Sequence, residues 1–238
     1  TITTTEPKFI PNEAASVILS GDIPVSVRLI DCVGYMVEGA AGHMEEDVER
    51  MVKPPWFDYE IPFTQAAEIG TDKVMNDHST IGLVVTTDGS FGEIPRENYL
   101  EAEEKTILAL KKLRKPFLVL VNSQKPYSED AKRVAGEIGE KYGVSAVTVN
   151  CEQLKKEDIN MLLENVLYEF PISSIEFYMP KWVEMLPGDN RMKMDIIERV
   201  KALMKDYAAI RDVLKHPVEL TGDYIKRCKT DTVSLSDG

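Results

Sequence analysis

Cysteine, histidine, long apolar runs and positive charge are all scarce in this chain, and each scarcity removes a class of function. The three cysteines, Cys32, Cys151 and Cys228, form an odd, scattered set with no paired spacing. That pattern fits reduced core or surface thiols in a cytosol better than a disulfide framework or a cysteine zinc site. His43, His78 and His216 are equally dispersed, so no histidine metal centre is expected. No window approaches about 18 consecutive apolar residues, and the N-terminus lacks a basic-then-apolar signal pattern. There are 28 Lys and Arg against 40 Asp and Glu, a net charge of −12, and no basic stretch stands out. Such a balance argues against nucleic acid as a partner and against electrostatic docking on anionic lipid. The expectation is a cytoplasmic protein. One motif is also missing: nowhere in the 238 residues is there a Gly-x-x-x-x-Gly-Lys-Ser/Thr phosphate loop.

What is present is a chain long enough for one large domain or one and a half, with a sizeable core. Its most informative run is Val25 to Tyr35, a buried-type strand that ends on Asp31 and breaks at Gly34. An acidic side chain at the carboxyl end of a strand can hold the water shell of a magnesium ion. A glycine N–H three residues on can approach a terminal phosphate closely. Asp-x-x-Gly is also an ordinary strand-end turn in α/β proteins, so the pattern alone leaves both readings open.

The remaining periodicity alternates strand and helix. Ala14–Ser20 and Val25–Asp31 read as an antiparallel hairpin around Ser-Gly-Asp-Ile-Pro. Residues 34–62 form a long loop rich in Gly and Met, a candidate functional loop. Helices are expected over Phe63–Asn76, Glu97–Leu113 (inner side Leu100, Ile107, Leu108 and Leu110), Ser128–Tyr142 and Lys155–Phe170. Buried strands are expected at Thr80–Thr87, Pro116–Asn122 and Val144–Val149. Continuous apolar strands between helices imply a mainly parallel sheet covered on both faces, with ligands beyond the carboxyl ends of the strands. That places Asp31, Thr86–Gly89 and Asn122 along one rim. After Phe170 the character changes to a β-like segment at Ser174–Met179 and one long amphipathic helix, Met192–Lys215. This reads as the opening of a second domain, and both chain ends read as cuts.

Several segments resemble the stage IV sporulation protein A family. They are Thr4–Asn12, Arg28–Tyr35, Ile61–Thr71, Ser79–Gly89, Lys115–Ser123 and Leu167–Pro171, in colinear order over essentially the whole chain. The resemblance implies an α/β, P-loop NTPase-like fold related to translation-factor-type GTPases, with a mainly parallel sheet truncated at its N-terminus. Residues 1–170 would be the ATPase domain without its first strand, phosphate loop and helix, and 171–238 the start of an α+β middle domain. It further implies a spore-coat morphogenetic ATPase using ATP and Mg2+, one that self-assembles into the basement layer of the coat. The location implied is the mother-cell cytoplasm at the forespore surface. Its implied partners are further copies of itself and other spore-coat morphogenetic proteins, with membrane contact only indirect or through the absent C-terminal region. Carried over residue by residue, Thr4 and Thr5 occupy the switch-threonine positions, as catalytic residues and magnesium ligands. Asp31 is the magnesium-supporting carboxylate and Gly34 the phosphate-sensing glycine. This 238-residue piece is expected to hydrolyse ATP poorly or not at all, since half of the phosphate-binding groups are absent from it.

The base-reading position departs from GTPases. Guanine recognition needs an aspartate two residues beyond the Lys of an Asn-Lys-x-Asp run, accepting from N1–H and the 2-amino group. Here the run is Asn122-Ser123-Gln124-Lys125, so a group that only donates stands where the acceptor should be. A site that loses a buried bidentate pair loses discrimination by orders of magnitude. Lys125 is equally readable as a solvated surface lysine. Three functions follow: a coat-assembling ATPase, a switch GTPase acting on a partner, and a structural coat subunit with a vestigial nucleotide fold. The lost aspartate and the acidic charge count against the second, and Thr4, Thr5, Asp31 and Gly34 against the third.

Overall fold

A computed structural model describes residues 11–19, 22–45, 48–216 and 218–235. The chain forms two compact units, Thr1–Leu162 and Leu163–Gly238. The first begins with the expected hairpin, β1 (Ala15–Leu19) antiparallel to β2 (Ile23–Val27), with Leu19 opposite Ile23. Asp22 turns it in the left-handed region at φ 58°, where a short polar side chain is tolerated. The strand expected to reach Asp31 stops at Val27. Ala15, the first residue of β1, is already paired with Val27, so residues after it have no ladder partner there. Asp31 therefore lies on an irregular segment rather than at a strand end.

The long segment that follows contains short ladders: β3 (Met44–Glu45) with β4 (Val48–Glu49), and β5 (Met51–Val52) with β6 (Ile61–Pro62). Helix α1 (Phe63–Lys73) continues as a π-helical turn, Val74–His78. Lys115 closes that turn, donating from Nζ to the carbonyls of Met75 at 2.5 Å, Asn76 at 3.0 Å and Ser79 at 2.6 Å. Those are carbonyls left over at a helix end, and the ammonium satisfies them together.

Then comes the α/β part: β7 (Gly82–Thr87), a 3-10 turn at Arg96–Tyr99, α2 (Leu100–Leu113), β8 (Phe117–Asn122), α3 (Glu129–Tyr142), β9 (Ala146–Val149) and α4 (Lys156–Tyr168). The three strands form one parallel sheet in the order β7-β8-β9, with Thr87 opposite Asn122 and Asn122 opposite Val149. β8 is central, and Leu118, Val119 and Val121 are completely buried, as its continuous apolar run requires. Ser128 caps α3 by accepting from the Ala131 N–H at 3.2 Å.

The inner face of α2 differs from expectation. Ile107 and Leu110 are buried, but Leu100 and Leu108 are 45% and 50% exposed, and the third inward position is Glu103. Positions 103, 107 and 110 share one helical stripe, whereas 108 is turned about 100° away from 107. Gly82 lets this helix approach β7 closely: a Cβ there would meet Leu110 Cδ1 at 2.9 Å and Phe117 Cβ at 3.1 Å. Gly82→Val should therefore cost about 1–3 kcal/mol by overpacking. The check is urea denaturation, with a lower midpoint expected at an unchanged slope.

The second unit is helical. The β-like segment expected at Ser174–Met179 forms no strand, because among the described residues its neighbourhood offers only an isolated bridge between Pro171 and Ala209. The expected long helix is two, α6 (Arg191–Leu203) and α7 (Ile210–Lys215), after a single turn α5 (Lys181–Glu184). The break has a cause in hydrogen bonding. The N–H groups of Ala208 and Ala209 donate to the Asp212 carboxylate at 3.0 and 2.9 Å, and that of Ile210 donates to the Phe170 carbonyl at 3.1 Å. Those donors are lost to a continuous helix. Among the described residues no helix is long and apolar enough to cross a membrane.

Candidate functional site

The carboxyl ends of β7, β8 and β9 converge on a bonded polar rim. At the end of β7, buried Thr86 donates to Glu103 Oε2 at 2.7 Å and accepts from the Arg96 guanidinium at 2.9 Å. Arg96 also meets Glu103 at 2.7 Å, with the two side chains only 16% and 2% exposed. A triad of strand, loop and helix groups thus ties the Thr87–Arg96 connection to the sheet. Gly89, at φ +86°, sits where a Cβ would meet the Arg96 backbone N at 3.2 Å, so the turn against Arg96 needs a glycine. Next to it, burial pushes the Asp88 carboxyl up. Bonds from Ser123, Ser90 and the Ser90 N–H outweigh that and hold it below the usual carboxylate range.

β8 ends in Asn122, whose Oδ1 accepts from the Cys151 N–H at 2.9 Å just beyond β9. This bond joins the loops after two adjacent strands and fixes the amide plane. The Asn122 NH2 group makes no bond to protein among the described residues, leaving a fixed donor at the rim. Ser123, 1% exposed, accepts from the Lys125 N–H at 3.0 Å and so shapes the turn. Lys125 itself is exposed, and its ammonium has no protein partner among the described residues.

The Asp-x-x-Gly segment lies elsewhere in the same unit, against α1 and α2. Asp31 is exposed and makes no bond or ion pair to protein among the described residues. Gly34, at φ +81°, has open space where a Cβ would stand, and its N–H donates to Thr71 Oγ1 at 3.1 Å. Tyr35 donates to Asp72 at 2.6 Å, and Asn98 Nδ2 to the Glu38 carbonyl at 2.9 Å. Burial first, then the Asp72 bond, drives the Tyr35 phenol well above its ordinary pKa, so it remains a neutral donor. The structure thus brings Asn122 and Lys125 together with Thr86–Gly89 on the sheet rim. It places Asp31 and Gly34 on a separate irregular segment rather than on that rim. Thr4 and Thr5 lie outside the described residues.

An exposed, unpaired carboxylate such as Asp31 suits a magnesium water shell, and the open face of Gly34 suits close phosphate approach, although its N–H is here bonded to Thr71. No group of three or more His, Cys, Asp or Glu among the described residues could hold a metal alone. Sequence reasoning missed Thr71, Asp72, Arg96 and Glu103. Glu103 had a signal, an acid on the apolar stripe of a helix. Thr71 had none, since its partner Gly34 is 37 residues away.

Comparison with known proteins adds family and extent. A family model described as "Stage IV sporulation protein A, ATPase domain" matches residues 1–171, and one described as its middle domain matches 172–238. The chain is 44% identical over 213 residues to stage IV sporulation protein A of Bacillus subtilis (strain 168), covering 90% of this chain and 43% of that protein. It is 42% identical over 241 residues to the protein of the same name from Clostridioides difficile (strain 630), covering 100% of this chain and 49% of the relative. The Bacillus anthracis protein of that name is 42% identical over 213 residues, or 90% of this chain and 43% of its own. The chain therefore spans about half the length of the curated relatives it matches. No solved structure matches it.

Proposed function

The chain belongs to the stage IV sporulation protein A family, through its ATPase and middle domains, and from that premise we propose that it is part of an ATP-hydrolysing, self-assembling protein of the spore coat. In this reading residues 1–170 are a P-loop NTPase-like domain and 171–238 open an α+β middle domain. The protein works in the mother-cell cytoplasm at the forespore surface. It polymerises with copies of itself into the basement layer of the coat and meets other coat morphogenetic proteins there.

The observation that carries the nucleotide reading is the Asn122 amide, locked by the Cys151 N–H at the carboxyl end of a parallel sheet with its NH2 group unspent. A fixed amide donor there can serve the N7 acceptor that both purines share. β7 supports the same reading, because among the described residues it pairs on one side only. Its Leu83 and Val85 are 41% and 59% exposed, a face suited to a further strand and helix. The 238 residues contain no Gly-x-x-x-x-Gly-Lys-Ser/Thr phosphate loop, so the assigned residues account for the base, magnesium and terminal-phosphate contacts and not for a phosphate cradle.

Each residue then has a defined task. Asn122 orients the base, and Lys125 stands where a guanine-reading carboxylate would be needed. Asp31 would hold magnesium through water, the Gly34 N–H would meet the terminal phosphate, and Thr4 or Thr5 would join the magnesium. The bound magnesium supplies neutralisation of charge on the transferred phosphoryl group. The test is nucleotide preference of the full-length protein by calorimetric titration with magnesium present. Tighter binding of ATP than GTP is expected, and the reverse order would favour a switch GTPase.

A further inference from the structure

The nucleotide reading needs the Gly34 N–H for a phosphate, yet in this structure that N–H already has a partner. The five residues after Asp-x-x, Gly34 to Glu38, are tied down at three of their positions. Gly34 is bonded to Thr71, the Tyr35 hydroxyl to Asp72, and the Glu38 carbonyl to Asn98. The Tyr35 ring lies under the Lys105 ammonium at 4.2 Å, and that ammonium is paired with Glu68 at 2.5 Å. Glu68, Thr71 and Asp72 sit on one side of α1, while Asn98 comes from the 3-10 turn before α2 and Lys105 from the body of α2. An irregular segment is thereby docked along α1, α2 and the turn before it through the Gly34 N–H, the Tyr35 hydroxyl and ring, and the Glu38 carbonyl.

Thr71 is the unusual member. It is 2% exposed in the last turn of α1, where a threonine hydroxyl commonly bonds back to its own helix. Here its oxygen instead accepts a backbone N–H from 37 residues away.

We propose that Thr71 is a positioning residue that competes with the terminal phosphate of a nucleoside triphosphate for the Gly34 N–H, so that triphosphate binding must undock Gly34 and Tyr35 from α1. This rests on the nucleotide reading above and adds a regulatory element to the same site. A phosphate oxygen is charged and makes the stronger bond, so it can win, but only by the difference between the two acceptors. A diphosphate offers no group at that position and leaves the docked state undisturbed. The device makes the segment sense the third phosphate rather than the nucleotide as such.

The test measures ATP and ADP affinity of the full-length protein with magnesium, for the native sequence and three variants. Thr71→Val removes the competing oxygen at nearly constant shape. It should raise the ratio of ATP to ADP affinity about fivefold, the scale of one net hydrogen bond. Thr71→Ser keeps the oxygen and should restore the native ratio, which a purely structural role for the hydroxyl would not predict alongside unchanged ADP binding. Tyr35→Phe removes only the Asp72 bond and should raise the ratio in the same direction, so it carries the test if Thr71→Val fails to fold. A ratio unchanged or lowered in the folded variants overturns the inference while leaving the nucleotide site intact. Failure of the native protein to bind either nucleotide overturns the functional reading and this inference with it.

Discussion

Glu103→Ala should lower the stability of the Thr1–Leu162 unit by about 3–5 kcal/mol, among the largest effects available to a single substitution in this fold. Glu103 is 5% exposed and receives both the Arg96 guanidinium and the Thr86 hydroxyl. Removing it leaves a nearly buried cation without its counter-charge and a buried hydroxyl without its acceptor, and both penalties act together. Replacing both ions, Arg96→Met with Glu103→Leu, should cost far less, since no unpaired charge remains. Urea unfolding of the single and double variants reads the difference. A loss under about 1 kcal/mol for the alanine variant would mean that solvent screens the pair. The same triad fixes the Thr87–Arg96 connection, so the alanine variant should also loosen the sheet rim beside Asn122.

Much of the α/β part was legible because its signals are local. The unbroken apolar run Phe117–Val121 reads as a buried strand, Ser128 marks the start of α3, and the hairpin's punctuation points to antiparallel pairing. What was not legible depends on partners far along the chain. β2 stops at Val27 because β1 supplies no further partner, and the helix expected at Met192–Lys215 breaks because Phe170 and Asp212 claim its backbone donors. Glu103 replaces a leucine in the buried stripe for a similar reason, as its counter-charge comes from a loop seven residues earlier. At the site, Asn122 was placed by the end of its strand. Asp31 was expected on the same rim, but its position depends on a ladder that ends four residues before it.

In the proposed function Asp31 and Gly34 form the magnesium- and phosphate-facing half of the nucleotide site. Asp31 invites the most direct challenge, because it is exposed and bonds to nothing in the protein among the described residues. An exposed, unpaired carboxylate contributes little to folding, so its removal should leave the structure intact. If the carboxylate instead holds the water shell of the bound magnesium, its loss removes charge stabilisation made only with nucleotide present. Effects of that kind reach about 100-fold or more in turnover. The decisive measurement is therefore magnesium-dependent ATP turnover by the full-length protein with and without Asp31→Ala, accompanied by thermal melting. The site predicts an unchanged melting temperature, ATP binding largely retained and turnover reduced about 100-fold or more. Turnover equal to that of the native protein would contradict the placement of the site on this segment.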